Sequence, residues 1–398
     1  MTGSSIGRLP AIELGRGRIE RLPGLVARRG NDALLVTGAG SFRRTPRWPE
    51  LLAALDALGV RVHDVVVAGE PSPALVDEAV ACHRTAGIDV VVGIGGGSVL
   101  DAAKAIAGLL PSGRSVMDHL EVVGRGLPYA GPALPFIAVP TTAGTGSEAT
   151  KNAVLSVRGP AGFKRSFRDD RLVAAVAIVD PDLLDTCPRA LIASDGMDAV
   201  TQLLEAYVST GAGPFTDALA LSGLAAARDS LLPWFDRGPD ASEATAAARE
   251  RMAWAALASG ICLANAGLGA VHALAAPLGA VLPIPHGAAC GIVLAPATAA
   301  NVDALEVRDP DGPGLARYAA AGRVLLDDAA LPDPEARAGL VALLAAWADH
   351  LGVAGLASFG LDDGTVDAIV ADASPSTMRT NPVALDAAEL AGILRAAL

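Results

Sequence analysis

The sequence predicts an α/β N-terminal half with a mainly parallel sheet, followed by an all-helical C-terminal half. Three observations predict it. Short β-branched apolar runs alternate with helical segments over the first 180 or so residues, the pattern of βαβ units. Near residues 180–190 that alternation stops, and Ala- and Leu-rich segments of helical period run onward to the end. At 398 residues the chain is too long for one ordinary core, so two domains are expected, 1–184 and 185–398.

The elements follow in order. "ALLVT" (33–37), ending in "GAG", reads as a buried strand and a turn, and a helical pattern follows near 48–58. "VRVHDVVV" (60–67) is a second strand, "ALVDEAVACHRTAG" (74–87) a helix stopped by glycine, and "IDVVVGI" (88–94) a third strand. "SVLDAAKAIAGLL" (98–110) continues as a helix, and "LPFIAVPT" (134–141) and "AVAIVD" (175–180) give two more strands. Helical period then covers 191–209, 215–234, 241–264, 315–329, 335–351 and 386–397. The stretches 159–163 and 237–245 read as surface loops, and no internal repeat is present.

Composition narrows the class. The chain is 52% hydrophobic but only 4% aromatic, the excess lying in Ala, Val and Leu, which suit helices and buried strands. A net charge of −12 leaves no basic stripe to meet phosphates, so no nucleic-acid partner is expected and a soluble, acidic, cytoplasmic protein is. Cys82, Cys187, Cys262 and Cys290 lack paired spacing, so neither a disulfide framework nor a zinc ribbon is implied. The opening "MTGSSIGRLPAIELGRG" lacks a charged-then-apolar leader, and the apolar runs are short or interrupted, so no membrane span is expected.

Two loops carry phosphate-binding chemistry. "VVVGIGGGSVLDAAK" places Gly95, Gly96, Gly97 and Ser98 between a strand and a helix, where free N–H groups and the positive helix end can hold an anion. The simpler alternative is a tight turn needing glycine for its dihedrals. The spacing misses the third glycine of the dinucleotide fingerprint, and the absence of Gly-Lys-Ser/Thr argues against an NTPase loop. Asp101 and Lys104 sit in the first turns of the same helix, where the alternatives are a favourable first-turn acid and a solvated charge. "AVPTTAGTGSEAT" then offers the hydroxyls of Thr141, Thr142, Thr145 and Ser147, suited to ribose and pyrophosphate, or else a hydroxyl-rich turn. Two such loops at strand C-terminal ends point to a nucleotide crevice.

The most apolar stretch, "GLGAVHALAAPLGAVLPIPHG" (267–287), holds two of the six histidines, His272 on a helical segment and His286 after a Pro-rich turn. In "SDGMDAVTQLLEAY", Asp198 and Gln202 are four apart and share a helix face. Together the four make an oxygen and imidazole donor set for a divalent metal. The alternative is that each histidine is a hydrogen-bonded core residue.

In "GGGSVLDAAK", "PTTAGTGSE", "GMDAVTQLLEAY", "GLGAVHALAAPLG" and "PHG", taken in order, the chain resembles the iron-containing (group III) alcohol dehydrogenase family, from "IELGRG" (12–17) to "TNPVAL" (380–385). The resemblance implies a dinucleotide-binding α/β domain and an all-helical domain that binds metal and substrate, the fold shared with dehydroquinate synthase. It implies NAD or NADP as cofactor, a divalent metal (Fe2+ first, Zn2+ second), a small alcohol or aldehyde as substrate, and a homodimer. Carried over by position, Gly95, Gly96, Gly97, Ser98 and Asp101 serve the pyrophosphate loop. Thr141, Thr142, Thr145, Ser147 and Lys164 serve the rest of the cofactor, and Asp198, His272 and His286 are the metal ligands about which the chemistry turns. Two positions depart from the family pattern: Gln202 stands where a third histidine is usual, and Ala276 where another histidine follows His272. A variant subgroup with Gln and Ala at these places fits the chain better, and Gln202 is expected as a fourth ligand through its amide oxygen, directly or through water. Gly38 ends the first strand where the family often has an acid reaching the adenosine ribose; its absence, with Arg43 and Arg44 behind it, leads us to expect NADP(H) to be accepted at least as well as NAD(H).

The reaction so implied is reversible oxidation of a small alcohol by direct hydride transfer. Three rivals stand beside it: a metal-independent reductase of the maleylacetate reductase type, a lyase of the dehydroquinate synthase type, which needs more basic residues, and a nucleotide sensor without catalysis.

Overall fold

The computed structural model describes residues 5–159, 162–240, 242–353 and 355–398. Part of each expected loop, at residues 160–161 and 241, lies outside the described residues. The chain divides into two compact units, Gly7–Cys187 and Pro188–Leu398, the second also taking in Ser5 and Ile6.

Among the described residues the first unit holds eight strands: β1 (Ala11–Leu14), β2 (Asp32–Gly38), β3 (Arg61–Val67), β4 (Val90–Gly95), β5 (Phe136–Pro140), β6 (Asn152–Val157), β7 (Phe163–Arg168) and β8 (Val176–Val179). Six of them form one sheet in the order β1-β8-β5-β4-β2-β3, with every pairing parallel. All five strands expected from the sequence are in it. The short edge strand β1 and the antiparallel pair β6–β7 were not expected.

Alternation along the strands builds two cores, one on each face. Leu34 and Val36 of β2 join Val91 of β4 and Phe136 of β5 against Val76 and Val80 of helix Pro73–His83 and Leu100 and Ile106 of helix Gly97–Leu109. Ala33 and Leu35 join Val92, Ile94, Ile137 and Ile178 against Leu51 and Leu55 of helix Arg47–Ala57. Strands buried on both faces explain the near-continuous apolar runs. The order in which strands are added reverses about β2: β3 lies on one side of it and β4 on the other. The C-terminal ends of β2 and β4 therefore flank a switch point, where open α/β sheets bind ligands.

The second unit is helical. Its principal helices are Arg189–Val208, Pro214–Arg228, Leu231–Arg237, Glu243–Ala266, Ala270–Val281, His286–Arg308, Pro313–Leu326, Asp333–His350 and Ala387–Ala396. The single helix expected over 215–234 is broken at Asp229 and Ser230, where the Ser230 hydroxyl bonds back to Ala226 O. The helix His286–Arg308 is also new, and it is long and apolar enough to span a membrane by length and composition, but 78% of its most apolar window is buried inside the protein. Such a helix is all-round apolar because it is the core helix of its unit.

Candidate active site

In the first unit, the loops after β4 and β5 are neighbours because those strands pair, Gly95 lying opposite Pro140. The helix Gly97–Leu109 begins with Gly96 at its cap and no capping side chain, so its first N–H groups face outward. A Cβ on Gly97 would stand 2.7 Å from Thr145 Cγ2, so only glycine lets the two loops come this close. Gly96, Gly97, Ser98, Thr142 and Thr145 all keep partial exposure. Their amides and hydroxyls thus belong to partly accessible residues, whereas Thr141 is buried.

Asp101, Ser147 and Lys164 of the expected cofactor set hold partners within the protein. The Ser147 hydroxyl donates to Asp101 Oδ1 at 2.6 Å, and Asp101 Oδ2 accepts from the Val154 N–H at 3.1 Å. Beneath them, Lys104 is fully buried, not a solvated charge. Its Nζ lies 2.9 Å from both Ser147 O and Ser147 Oγ, 3.1 Å from Thr150 Oγ1 and 2.6 Å from Asn152 O. Burial pulls the Lys104 ammonium below its ordinary range, against the attraction of Asp101 and Glu148. Burial likewise raises the Glu148 carboxyl, to about 7, against its backbone hydrogen bond and Lys104. Asp101, Lys104 and Ser147 thus pin the polar loop to the glycine-loop helix. Lys164 pairs with Glu70 at 3.0 Å. At the end of β2, Arg43 donates to Thr37 Oγ1 at 2.6 Å, pairs with Asp64 and lies over Trp48, while Arg44 is exposed.

The second unit gathers the donors that the sequence left far apart. Asp198 lies on helix Arg189–Val208, His272 in the first turn of helix Ala270–Val281, and His286 at the start of helix His286–Arg308. A Cβ on Gly287 would fall 2.2 Å from Ser194 O, so the absence of a side chain there lets the last helix lie against the first and brings His286 to Asp198. His272 Nε2 is 3.3 Å from Asp198 Oδ1, and the two imidazole rings are 5.5 Å apart, edge to face.

Two residues that the sequence reading did not assign complete the centre. Cys290 Sγ lies 3.8 Å from His272 Nε2 and 3.9 Å from His286 Nε2. Ligand atoms of Asp198, His272, His286 and Cys290 all fall within 4.8 Å of one another. Glu205 accepts from the Val271 N–H at 2.7 Å through Oε1 and meets His272 Nδ1 at 2.6 Å through Oε2. The signal for Glu205 was its spacing, i+7 from Asp198 on the same helix face, and for Cys290 it was i+4 from His286.

Gln202 shares the face of Asp198 as expected, but its amide nitrogen points to Asp198 Oδ2 at 3.1 Å while Oε1 accepts from the Ser259 hydroxyl at 3.0 Å. An N–H cannot ligate a cation, so in this geometry Gln202 holds Asp198 instead of joining the donor set.

Electrostatics suit a cation. Burial pulls the Asp198 carboxyl upward, but the His272 hydrogen bond and the two imidazoles outweigh it and bring it to about 2. Burial opposes protonation of His272, yet Cys290, Glu205 and Asp198 hold that imidazole well above its ordinary range. Burial pushes the Cys290 thiol up to about 11. A buried carboxylate grouped with two imidazoles and a thiol is a donor set matched to a divalent ion. The donor set therefore fits the metal.

The family model for iron-containing alcohol dehydrogenase matches residues 10–181, and that for the C-terminal part of the Fe-containing alcohol dehydrogenase family matches residues 192–398. Long-chain-alcohol dehydrogenase 1 of Geobacillus thermodenitrificans (strain NG80-2) is 38% identical over 72% of this chain and 70% of its own. Among solved structures, a 1,3-propanediol oxidoreductase superposes with a TM-score of 0.87 at 27% identity, covering 100% of both chains. The sulfoacetaldehyde reductase of Bifidobacterium kashiwanohense, solved in complex with NAD+, gives a TM-score of 0.84 at 26% identity over 100% of this chain and 99% of its own. The chain is an oxidoreductase acting on CH–OH groups. It belongs to the iron-containing alcohol dehydrogenase family.

Proposed function

We propose that the chain reversibly oxidises a small alcohol to an aldehyde or ketone with NAD(P), using a divalent ion held by Asp198, His272 and His286. The observation that supports this most is the convergence of those three buried donors from three separate helices. The same convergence disfavours the metal-independent reductase.

A divalent ion bound there supplies Lewis acidity toward the substrate oxygen, and the nicotinamide supplies the hydride chemistry. The chain's own residues prepare the ground. Glu205 fixes the orientation of His272 and leaves Nε2 to face the ion. Val271, Leu274 and Leu278 on the helix of His272, and Ala289 on the helix of His286, are buried, and an apolar setting strengthens charge interactions. In the first unit, the N–H groups of Gly96, Gly97 and Ser98 and the hydroxyls of Thr142 and Thr145 bind the cofactor's pyrophosphate and ribose. The first unit is then the dinucleotide-binding domain and the second the metal and substrate domain. A cytoplasmic homodimer completes the proposal.

The test is turnover of short aldehydes by NADH and NADPH, with iron or zinc added, alongside elemental analysis and light scattering for the dimer. Metal-dependent turnover is expected. Less than about a tenth of an equivalent of bound metal, with no rescue by iron, zinc, manganese or cobalt, overturns the reading.

A further inference from the structure

We infer that Cys290 is a metal ligand, its thiolate taking the donor place that Gln202 leaves open. The inference rests on the metal-dependent reading above. Three observations carry it. First, Cys290 is fully buried one helical turn after His286, so the two side chains leave the helix on one face. Second, the separations fit a single ion. Bonds of roughly 2.0 Å to nitrogen or oxygen and 2.3 Å to sulfur set tetrahedral ligand–ligand edges of roughly 3.3–3.6 Å. The structure has 3.3 Å for His272 Nε2 to Asp198 Oδ1, 3.8 Å for Cys290 Sγ to His272 Nε2 and 3.9 Å for Cys290 Sγ to His286 Nε2. All four donor atoms lie within 4.8 Å of one another, so closure by at most about 1.5 Å along any edge, and by a few tenths along these three, brings them onto one ion. Third, Gln202 turns an N–H toward Asp198 and gives its carbonyl oxygen to Ser259, so it offers no lone pair to the centre.

When the sulfur–metal bond forms, the Sγ–H bond breaks and its proton passes to solvent buffer. The carboxylate of Asp198 and the thiolate of Cys290 together then neutralise the two charges of the ion. A mixed oxygen, nitrogen and sulfur set is softer than an all-nitrogen-and-oxygen one, so the site shifts toward zinc and cobalt and away from iron.

The experiment loads metal-free full-length protein with one equivalent of Co2+ and records its spectrum and stoichiometry. An intense sulfur-to-cobalt charge-transfer band in the near ultraviolet is expected in the parent. It should vanish in Cys290→Ser and Cys290→Ala while both keep the parent's circular dichroism, and Zn2+ affinity should fall by about tenfold or more in each. Stoichiometric cobalt without that band in the parent overturns the role of Cys290 and leaves the metal site standing. A band that survives in both variants arises from another cysteine and overturns it equally. Failure of the parent to bind cobalt at all overturns both readings.

Discussion

Glu205 and His272 meet at 2.6 Å, carboxylate oxygen to Nδ1, while Nε2 of the same ring faces Asp198. One carboxylate therefore decides which imidazole nitrogen carries the proton. With Nδ1–H donated to Glu205, the lone pair on Nε2 is left for a cation. Glu205 also caps the first turn of the helix that carries His272, through Val271 N–H. Glu205→Gln keeps the shape and that cap but presents an amide N–H to Nδ1, which reverses the tautomer. Metal affinity should fall by about 10- to 100-fold. Competition with a chelator measures it, and the melting curve should stay near the parent's. Unchanged affinity would refute the orienting role.

The Gln202 amide donates to Asp198 Oδ2, and the Ser259 hydroxyl donates to Gln202 from behind. Gln202→Ala leaves a buried carboxylate oxygen without its donor, so metal affinity should drop by about tenfold. Ser259→Ala frees the Gln202 amide to turn and should give part of the same loss. A direct ligand would behave differently: Ser259→Ala would then leave affinity untouched or raise it. Gln202→His restores the donor usual in the family and should tighten binding. Titration of zinc and iron into the three variants separates these outcomes.

Much of the fold was legible, and for a physical reason. Strands such as "ALLVT" and "IDVVVGI" are buried on both faces, so their runs of Val, Ile and Leu are unbroken. The hairpin β6–β7 was not, because "FKRSFR" alternates only partly and sits beside a glycine-rich turn that reads as loop. The helix His286–Arg308 was hidden by Gly287, Gly291 and Pro296, which locally oppose a helix that tertiary packing sustains. That one omission also hid Cys290, since its i+4 relation to His286 has meaning only on a helix. Asp198, His272 and His286 needed no such context, being polar groups in apolar surroundings. The bonds that tie Asp101 and Ser147 to Lys104 were not legible, because nothing in the spacing shows that Lys104 is buried beneath the loop.

Cofactor choice turns on the end of β2. Gly38 has room for a Cβ, which would meet only Val99 Cγ2, at 3.7 Å. Arg43 is engaged by Asp64, Thr37 and Trp48, which leaves exposed Arg44 as the readier cation for a 2′-phosphate. The parent should use NADPH at least as efficiently as NADH. Gly38→Asp should shift the ratio of kcat/KM toward NADH by about tenfold or more, by repelling the phosphate and bonding a free ribose hydroxyl. A parent that favours NADH tenfold already would refute the assignment.

Glu148 makes the first unit's stability depend on pH. It is buried beside Lys104, and burial raises its carboxyl in the folded chain to about 7 from an ordinary value of 4.5. Below pH 4.5 the carboxyl is protonated in both folded and unfolded chains, and no penalty arises. Between 4.5 and 7 the unfolded chain ionises first, so the folded state loses ground as pH rises. Above 7 the carboxylate is charged in both, and the full penalty, on the order of 3 kcal/mol for the shift to about 7, persists. Glu148→Gln removes the titration while keeping the shape and one hydrogen-bonding oxygen. The variant should therefore gain on the parent steadily from pH 4.5 to 7 and hold a constant advantage above it. Urea midpoints of both proteins at pH 5 and pH 8 measure the gain. A difference between the two proteins that is the same at both values, or larger at pH 5, would show that Glu148 titrates as an ordinary carboxylate.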